Sequence, residues 1–453
     1  MRSSEPCCEL LHDSEVSSWG VDWATVNYLD KQVEMDVEAD QVVRLGRMLL
    51  ASGTGGYRVI RAMKRAARAL GFDNLAVVVN IDSVVCTFRR GQQFRTLVSE
   101  QSAIAINSSR IEAIEEFTHN RLQNSITVAE LQENLDRIEA NTGSRWSLTT
   151  KALAAGFACA GFALLNHFTF LTALIVAIAA TSGQVVRVLL HHKSFNQLGT
   201  TALSGIVSSL VFFGIGLLAK EANWIQEAQL SAGYVASVLY LIPGFPLFAA
   251  LLDLVRFDFT AGLSRLIYAI EISLAATFAV TMTGLAISLN PTHPVYYQTG
   301  WSWYAVATFA SFFGIAGFAV LFNSSKRMII LAATVGTCVN LVRLGLVAAG
   351  FSLFFCAFIG GLLIGLLAPA IVGRFSIPRI TMTVPASVIM IPGPLMYRAV
   401  YGLVTRDISG AIINAVDAGL VVIFIAGGLG VARMCTDRDW AFGYAIDFHK
   451  KLG

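Results

Sequence analysis

The 453-residue chain is 55% hydrophobic and only 14% charged, an apolar excess that a soluble globular protein does not need, so it reads as a polytopic membrane protein. Its net charge of +3 decides little, because the place of each charge relative to a bilayer matters more than the sum. The 7 cysteines show no CxxC spacing, so neither a disulfide framework nor a metal site is indicated, no cofactor is expected, and nothing points to a nucleic-acid partner.

Residues 1–40 are rich in Asp and Glu, nearly free of Lys and Arg and without periodicity, which predicts an acidic disordered tail. The opening MRSSEPCCELLHDSEV has neither a basic n-region nor an apolar core, so no cleavable signal is expected and the N-terminal part is assigned to the cytoplasm. Residues 41–147 hold no membrane-length apolar run and predict a small cytoplasmic α+β domain. A helix from Asp40 breaks at Ser52-Gly53, and a second, with Thr54 as its cap, runs to Leu70 and stops at Gly71. Its apolar stripe is Ile60, Met63, Ala67 and Leu70. Opposite lie Arg58, Arg61, Lys64, Arg65 and Arg68, either a solvated face or a surface for anionic headgroups or the acidic tail. LAVVVNID, SVVCTFRR and QFRTLVSE predict a small antiparallel sheet, and helices follow over 108–120 and 127–140. Ser52-Gly53-Thr54-Gly55-Gly56 follows a helix and lacks the lysine of a phosphate loop, so it reads as a helix-to-helix turn. Asp82, Ser83 and His119 do not have triad spacing, which favours a structural or regulatory domain over a hydrolase.

From Leu148 to Met434 the chain predicts about ten spans: 149–167, 169–190, 200–219, 229–252, 261–289, 302–322, 328–348, 351–373, 381–402 and 408–433. They fall into two halves of five, 148–290 and 300–434, and a cytoplasmic C-terminal tail, 435–453, follows. Arg187, Lys193, Arg256, Arg265, Lys326, Arg327, Arg374 and Arg379 then lie near cytoplasmic ends, while outside loops hold little beyond Lys220 and Arg406, which places both termini inside.

The stretch SVLYLIPGFPL, residues 237–247, is echoed by SVIMIPGPL, residues 387–395. Downstream, Arg256, Asp258, Gly262 and Glu271 are echoed by Arg406, Asp407, Gly410 and Asp417. A repeat of five spans is odd, so its second copy enters the bilayer from the other side, which predicts an inverted-topology pair. Proline removes an amide donor and glycine relaxes the backbone, so Pro243, Gly244, Phe245 and Pro246 with Pro392, Gly393 and Pro394 predict broken helices whose freed backbone groups line a substrate site. The alternative is a pair of ordinary kinks.

Glu271 and Asp417, carboxyls deep in apolar spans, are candidate proton-coupling groups, or else structural hydrogen-bonding carboxyls. Arg343 and Arg398 either snorkel or face a substrate carboxylate, and Asn340, one turn before Arg343, could share its face. Asp253, Arg256, Asp258 and Arg265, with Arg406 and Asp407, read as gate or ion-pair residues.

These residues resemble the threonine/serine exporter family. The resemblance lies in LGRMLLASGTGGYRVIRAMKRAARALGFDN, YLIPGFPLFAALLDLVRFDFTAGLSRLIYAIE, FAVLFNSSKRMIILAATVGTCVNLVRL and VIMIPGPLMYRAVYGLVTRDISGAIINAVDAGL, and covers about Val42 to Met434. It implies a ten-span bacterial inner-membrane exporter of threonine and serine driven by the proton gradient, and it carries Pro243, Gly244, Pro246, Pro392, Gly393 and Pro394 with Asp258 and Asp407 onto this chain. Split members of the family are associated with dicarboxylates such as succinate, which keeps a dicarboxylate exporter as an alternative. The family's soluble domain has been described as hydrolase-like, so a membrane-anchored hydrolase is a third reading. The expected partners are a small-molecule substrate, amino acid or dicarboxylate, protons and membrane lipid, with homo-oligomerisation left open.

Overall fold

The computed structural model describes residues 23–101, 105–287, 300–375, 378–442, 446 and 448. Residues 1–22 of the expected acidic tail, and most of the expected C-terminal tail, lie outside the described residues. The remainder of the acidic segment is not irregular, because helix α1 spans Trp23–Ala51. Met35, Ala39, Val42, Leu45 and Leu49 recur at helical spacing and are buried in the soluble core. Its acids are matched across the domain, Glu38 with Arg90 at 2.6 Å and Asp36 with Arg95 at 3.1 Å.

Helix α2 (Gly56–Ala69) begins one turn residue later than expected. Its N-cap is Gly55, with no side-chain cap, and Thr54 is buried instead of capping. Strands β1 (Asn74–Val79), β2 (Ser83–Arg90) and β3 (Gln93–Glu100) pair antiparallel in that order. Val84, Cys86 and Phe88 alternate onto the buried face, as a half-covered sheet requires. Helices α3 (Ser108–Asn120) and α4 (Val128–Asn141) are capped by the side chains of Asn107 and Thr127.

The membrane domain follows. Its first half comprises α5 (Leu148–Leu165), α6 (Phe170–His192), α7 (Gln197–Glu221), α8 (Glu227–Ala236), α9 (Gly244–Leu254) and α10 (Phe259–Ala286). The second comprises α11 (Trp301–Leu321), α12 (Lys326–Ala348), α13 (Leu353–Phe375), α14 (Arg379–Val388), α15 (Gly393–Thr405) and α16 (Ile408–Thr436), followed by the short α17 (Arg438–Phe442). Among the described residues eight helices are long and apolar enough to cross a membrane, and counting each of the two bent pairs as one span brings the number to 10. The chain is therefore a multi-pass membrane protein. Helices α8 and α9, with a 3-10 turn at Leu239–Leu241 between them, bend by 62°, and α14 and α15 by 58°.

Packing repeats between the halves. Helix α5 lies against α11, α7 against α10 as α13 against α16, and α9 against α10 as α15 against α16. The bent helices also cross over, α15 touching α10 and α9 touching α16.

The N-terminal domain meets this bundle at the α11–α12 turn and at the turn between α9 and α10. Asn323, in the α11–α12 turn, donates to Asn107 Oδ1 at 2.8 Å and to the Gly143 carbonyl at 3.0 Å, and its Oδ1 accepts from the Arg145 amide at 2.9 Å. The Trp146 indole donates to the Ser324 carbonyl at 3.1 Å. The start of the C-terminal segment joins the turn between α9 and α10, since the Trp440 carbonyl accepts from Arg256 at 3.1 Å.

Candidate functional site

The two breaks have one backbone geometry. Pro243 has φ −80° and ψ 62°, and Pro392 has φ −82° and ψ 60°. These are inverse γ-turn values, and the turn is closed in each copy by the glycine amide donating two residues back, Gly244 to Ile242 and Gly393 to Ile391, both at 2.9 Å. The break is thus a specific turn that reverses no direction but ends one helix and starts another. Helices α9 and α15 begin there, so the positive dipole ends of two helices meet between the halves; the first-turn amides of Gly244, Leu247, Gly393, Leu395 and Met396 are already taken by backbone carbonyls within the breaks, and Pro246 and Pro394 have none.

The glycines are required by close approach. A Cβ on Gly244 would lie 2.8 Å from Ile391 Cδ1 and 3.0 Å from Val388, and one on Gly393 would lie 2.9 Å from Ile242 Cδ1. The contact is reciprocal, each break packing on the isoleucine that precedes the other. Pro243, Gly244, Phe245, Pro246 and Gly393 are buried, while Pro392 and Pro394 are half-buried. On the side away from the soluble domain, Tyr234 of α8 and Tyr397 of α15 meet edge to face with their hydroxyls hydrogen-bonded. That pair joins the two halves across the start of α15.

The first-half residues expected to form a gate make one cluster with the N-terminal domain. Asp253 and Arg265, 4% and 3% exposed, make a buried ion pair. The Gly56 amide donates to the same Asp253 carboxylate at 3.0 Å. A Cβ on Gly55 would lie 2.8 Å from Asp253 Oδ1, and one on Gly56 2.8 Å from Asp258 Oδ2. The glycine-rich turn therefore exists to admit the membrane domain's carboxylates, which no phosphate loop would do. Arg256 stacks 3.8 Å from the Tyr57 ring. Asp258 caps α10 through the Ala261 amide at 3.4 Å, and Asp407 caps α16 through the Gly410 amide at 3.0 Å. Phe257 and Arg406, the residues before the caps, both have positive φ, 61° and 65°. Arg406 and Asp407 are exposed and do not join the Asp253–Arg265 cluster, so among the expected gate residues the structure brings only the first-half group together. The equivalents of Asp253 and Arg265 in the second copy, at the spacing that relates Asp258 to Asp407, are Gly402 and Asn414.

Asn340 is fully buried, donates to Ser311 Oγ at 2.9 Å and accepts from Arg343 Nε at 2.9 Å. Arg343 reaches α13 at Gly360, whose added Cβ would meet both Arg343 Cδ, at 3.7 Å, and Met390 Sδ, at 2.7 Å. The arginine is thereby held beside the residues that lead into the second break. Arg398 lies half-buried on α15. Sequence reasoning missed the first-half counterpart. Gln184-Val-Val-Arg187 in α6 matches Asn340-Leu-Val-Arg343 in α12 at the same position in helices of equal length, 23 residues each. Arg187 interacts electrostatically with Tyr240, in the 3-10 turn before the first break, and with Tyr268. Gln184 is 5% exposed. The signal was a second internal echo, available in the sequence but weaker than the proline pair.

The carboxyls are not equivalents. With the caps Asp258 and Asp407 aligned, Asp417 matches Tyr268, and Glu271 lies one turn further along. Glu271 is exposed on a stripe with Ile267, Ile270, Leu274 and Phe278, so it faces away from both breaks. Asp417 is half-buried beside Ala418, at the edge of the buried stripe that includes Ala411 and Val421. No group of three His, Cys, Asp or Glu among the described residues could hold a metal ion.

Comparison with known proteins agrees with this architecture. The model of the putative threonine/serine exporter family matches residues 40–287, and that of a second threonine/serine exporter family, ThrE, matches residues 307–435. A Mycobacterium tuberculosis protein described as a probable threonine/serine exporter is 23% identical over 86% of this chain and 74% of its own length. Proteins of Klebsiella aerogenes and Escherichia coli K12, each described as probable succinate transporter subunit YjjP, are both 25% identical, over 52% and 53% of this chain and 88% and 91% of their own lengths. No solved structure matches. The chain belongs to the threonine/serine exporter family, a family of membrane transporters and not of enzymes.

Proposed function

We propose that the chain exports threonine and serine across the bacterial cytoplasmic membrane by alternating access, as two inverted five-span halves with both termini in the cytoplasm. The observation that carries this reading is the convergence of the α9 and α15 N-termini at reciprocal γ-turns. Two positive helix dipole ends directed at one point suit the carboxylate of an amino acid, and a broken helix pair at a repeat interface is how secondary transporters build such a point. In the conformation described the breaks pack on each other, so the substrate site forms as α9 and α15 part. Tyr234–Tyr397 closes the outer side, and the Asp253–Arg265 lock with the Gly55-Gly56 turn controls the cytoplasmic side. Arg343, placed by Asn340, stands ready for a substrate carboxylate. Arg398 supports the same reading from the second turn of α15.

Proton coupling is assigned to Asp417 before Glu271. A carboxyl inside a span costs at least about 2.5 kcal/mol and is retained for a reason. Asp417 borders the buried stripe of α16, which touches α9, whereas Glu271 faces outward. The test is export of labelled threonine from proteoliposomes under an imposed pH gradient. Asp417→Asn should remove gradient-driven transport and keep exchange, and full gradient-driven transport in this variant ends the proton assignment.

A dicarboxylate exporter is the second reading, favoured by Arg187 and Arg343, one intramembrane arginine from each half, and by the relatives described as succinate transporter subunits. Succinate should then compete with threonine in the same assay, and Arg187→Gln should abolish the competition.

A further inference from the structure

Glu271 takes no part in the breaks or in the Asp253–Arg265 pair. It sits near the middle of α10, about 18 Å from the first residue of the helix and about 22 Å from the last at 1.5 Å per residue. It is exposed and makes no hydrogen bond or ion pair among the described residues. Leu263 and Ile267 before it, and Leu274 and Phe278 after it, are each about half exposed, so the outer side of α10 stays apolar for two turns in both directions. A glutamate side chain is too short to reach polar surroundings across that distance. A carboxyl left against hydrocarbon is costly, and acids inside spans pair with one another or face protein.

The helix does not offer Glu271 an inward place. Ala269, Ser273, Ala276 and Val280 on its other side are buried, and α10 lies against α7, α9 and α15. Turning the carboxyl inward would pull that packed side out. The repeat does not explain it either, because Leu420 stands at the matching position of α16 when the caps Asp258 and Asp407 are aligned. The carboxyl is therefore outside what the two halves share, and its partner has to come from another molecule.

A second copy of this chain supplies a matching group. Two copies in one bilayer have the same orientation, so a two-fold axis that relates them runs along the membrane normal. Helix α10 then meets α10 of the second copy side by side, and each residue on the seam meets its own copy at the same depth. A carboxyl meets a carboxyl there. The two are self-complementary when one holds a proton and donates it to the other in a charge-assisted O–H···O bond, and polar contacts of this kind hold helices together in lipid. Leu263, Ile267, Ile270, Leu274 and Phe278 recur every three or four residues, the spacing of a single helix seam around that bond.

We propose that the exposed stripe of α10 centred on Glu271 is the surface through which two copies of this chain associate in the membrane, with the two Glu271 carboxyls hydrogen-bonded across the two-fold axis. The inference is independent of which solute the broken helices carry.

Association is read as energy transfer between donor- and acceptor-labelled full-length protein in phosphatidylcholine vesicles, over a range of protein-to-lipid ratios. Transfer should rise linearly with the acceptor fraction, as it does for a dimer. Glu271→Leu should weaken association about tenfold, the worth of an interhelical polar contact in lipid, and Glu271→Gln, which pairs amide with amide, should weaken it less. Ile270→Trp should also weaken it, whereas Ile412→Trp, on α16 and just as open at 56% exposure, should not. With Cys7, Cys8, Cys338 and Cys435 replaced by serine, Leu274→Cys should cross-link to its own copy on oxidation and Ile412→Cys should not, a readout that leaves Glu271 intact. Monomers at every ratio, absence of the Leu274→Cys cross-link, or a dimer indifferent to both Glu271→Leu and Ile270→Trp overturns the surface. Equal weakening by Glu271→Gln and Glu271→Leu overturns the hydrogen-bonded pair.

Discussion

The two membrane halves share a backbone and differ in charge. Pro243 and Pro392 agree within 2° in both φ and ψ, and the caps Asp258 and Asp407 are equally close, at φ −81° with ψ 74° and 73°. Yet Asp253 and Arg265 of the first half have Gly402 and Asn414 as counterparts. The difference follows from what each half faces. Of these two turns the N-terminal domain docks on the first, where its Gly56 amide donates to Asp253. The second-half turn, between Arg406 and Asp407, has no such neighbour, and its cluster has been replaced by a tight contact in which a Cβ on Gly402 would lie 3.0 Å from Ala411 Cβ. In the proposed mechanism, shared geometry belongs to the moving parts and the asymmetric charge to the control of one side.

The largest effect should come from breaking what is shared. Gly244→Val or Gly393→Val drives a branched side chain into the opposite isoleucine, and overpacking of this kind costs about 1–3 kcal/mol and, in the proposed mechanism, disturbs the contact that parts during transport. Each should lower threonine export at least tenfold with the protein still monodisperse, and near-normal export in either variant would remove the breaks from the mechanism. Next comes the asymmetry. Arg265→Leu leaves Asp253 buried and unpaired, a loss of about 3–5 kcal/mol. Thermal unfolding should fall accordingly, and Asn414→Leu, at the matching second-half position, should change it little.

A third prediction concerns acid. His119 is held below its ordinary value of 6.5 by burial and by Arg65, with Arg61 and Arg58 adding to it. For Glu115 burial works upward, but Arg58 and its neighbours, Arg433 and His119 included, outweigh it and hold the carboxyl below 4.5. Both groups therefore contribute stability that is present above their ordinary values and is lost as pH falls. Glu112, raised mainly by burial, shifts the opposite way. Protection factors in α2 and α3, corrected for the pH dependence of intrinsic amide exchange, should fall as pH drops below 6.5, by up to about tenfold per pH unit for the His119 proton. Protection factors that stay constant between pH 7.5 and 5.5 would mean that His119 is not stabilised in its neutral form.

Much of this arrangement was legible in the sequence. The two proline-glycine motifs located the breaks, because proline inside an apolar run has few structural uses, whereas Asp258 and Asp407, expected as gate residues, are helix caps. Other features were hidden for physical reasons. The glycines at 55 and 56 look like a flexible turn until Asp253, nearly 200 residues away, is placed against them. Helix α1 was obscured because its acids are neutralised by strand arginines that only folding brings near. The direction of Glu271 could not be read, since α10 is apolar on its exposed as well as its buried side and periodicity gives no contrast. The α6–α12 echo was readable and was overlooked beside the stronger motif.

The smallest test returns to the part that the halves hold in common. Replacing an aspartate N-cap by alanine costs about 1 kcal/mol, because one orphan amide of the first helical turn loses its acceptor. Asp407→Ala should show that cost alone, since its carboxylate caps Gly410 at an exposed helix start. Asp258→Ala removes the same kind of cap, but it also removes the carboxylate against which Gly56 is packed. The first-half variant should therefore lose about as much stability as the second and, in addition, expose the 53–56 turn to proteolysis. Equal protease sensitivity in the two variants would show that Asp258 acts only as a cap, leaving Asp253 and Arg265 as the whole of the lock.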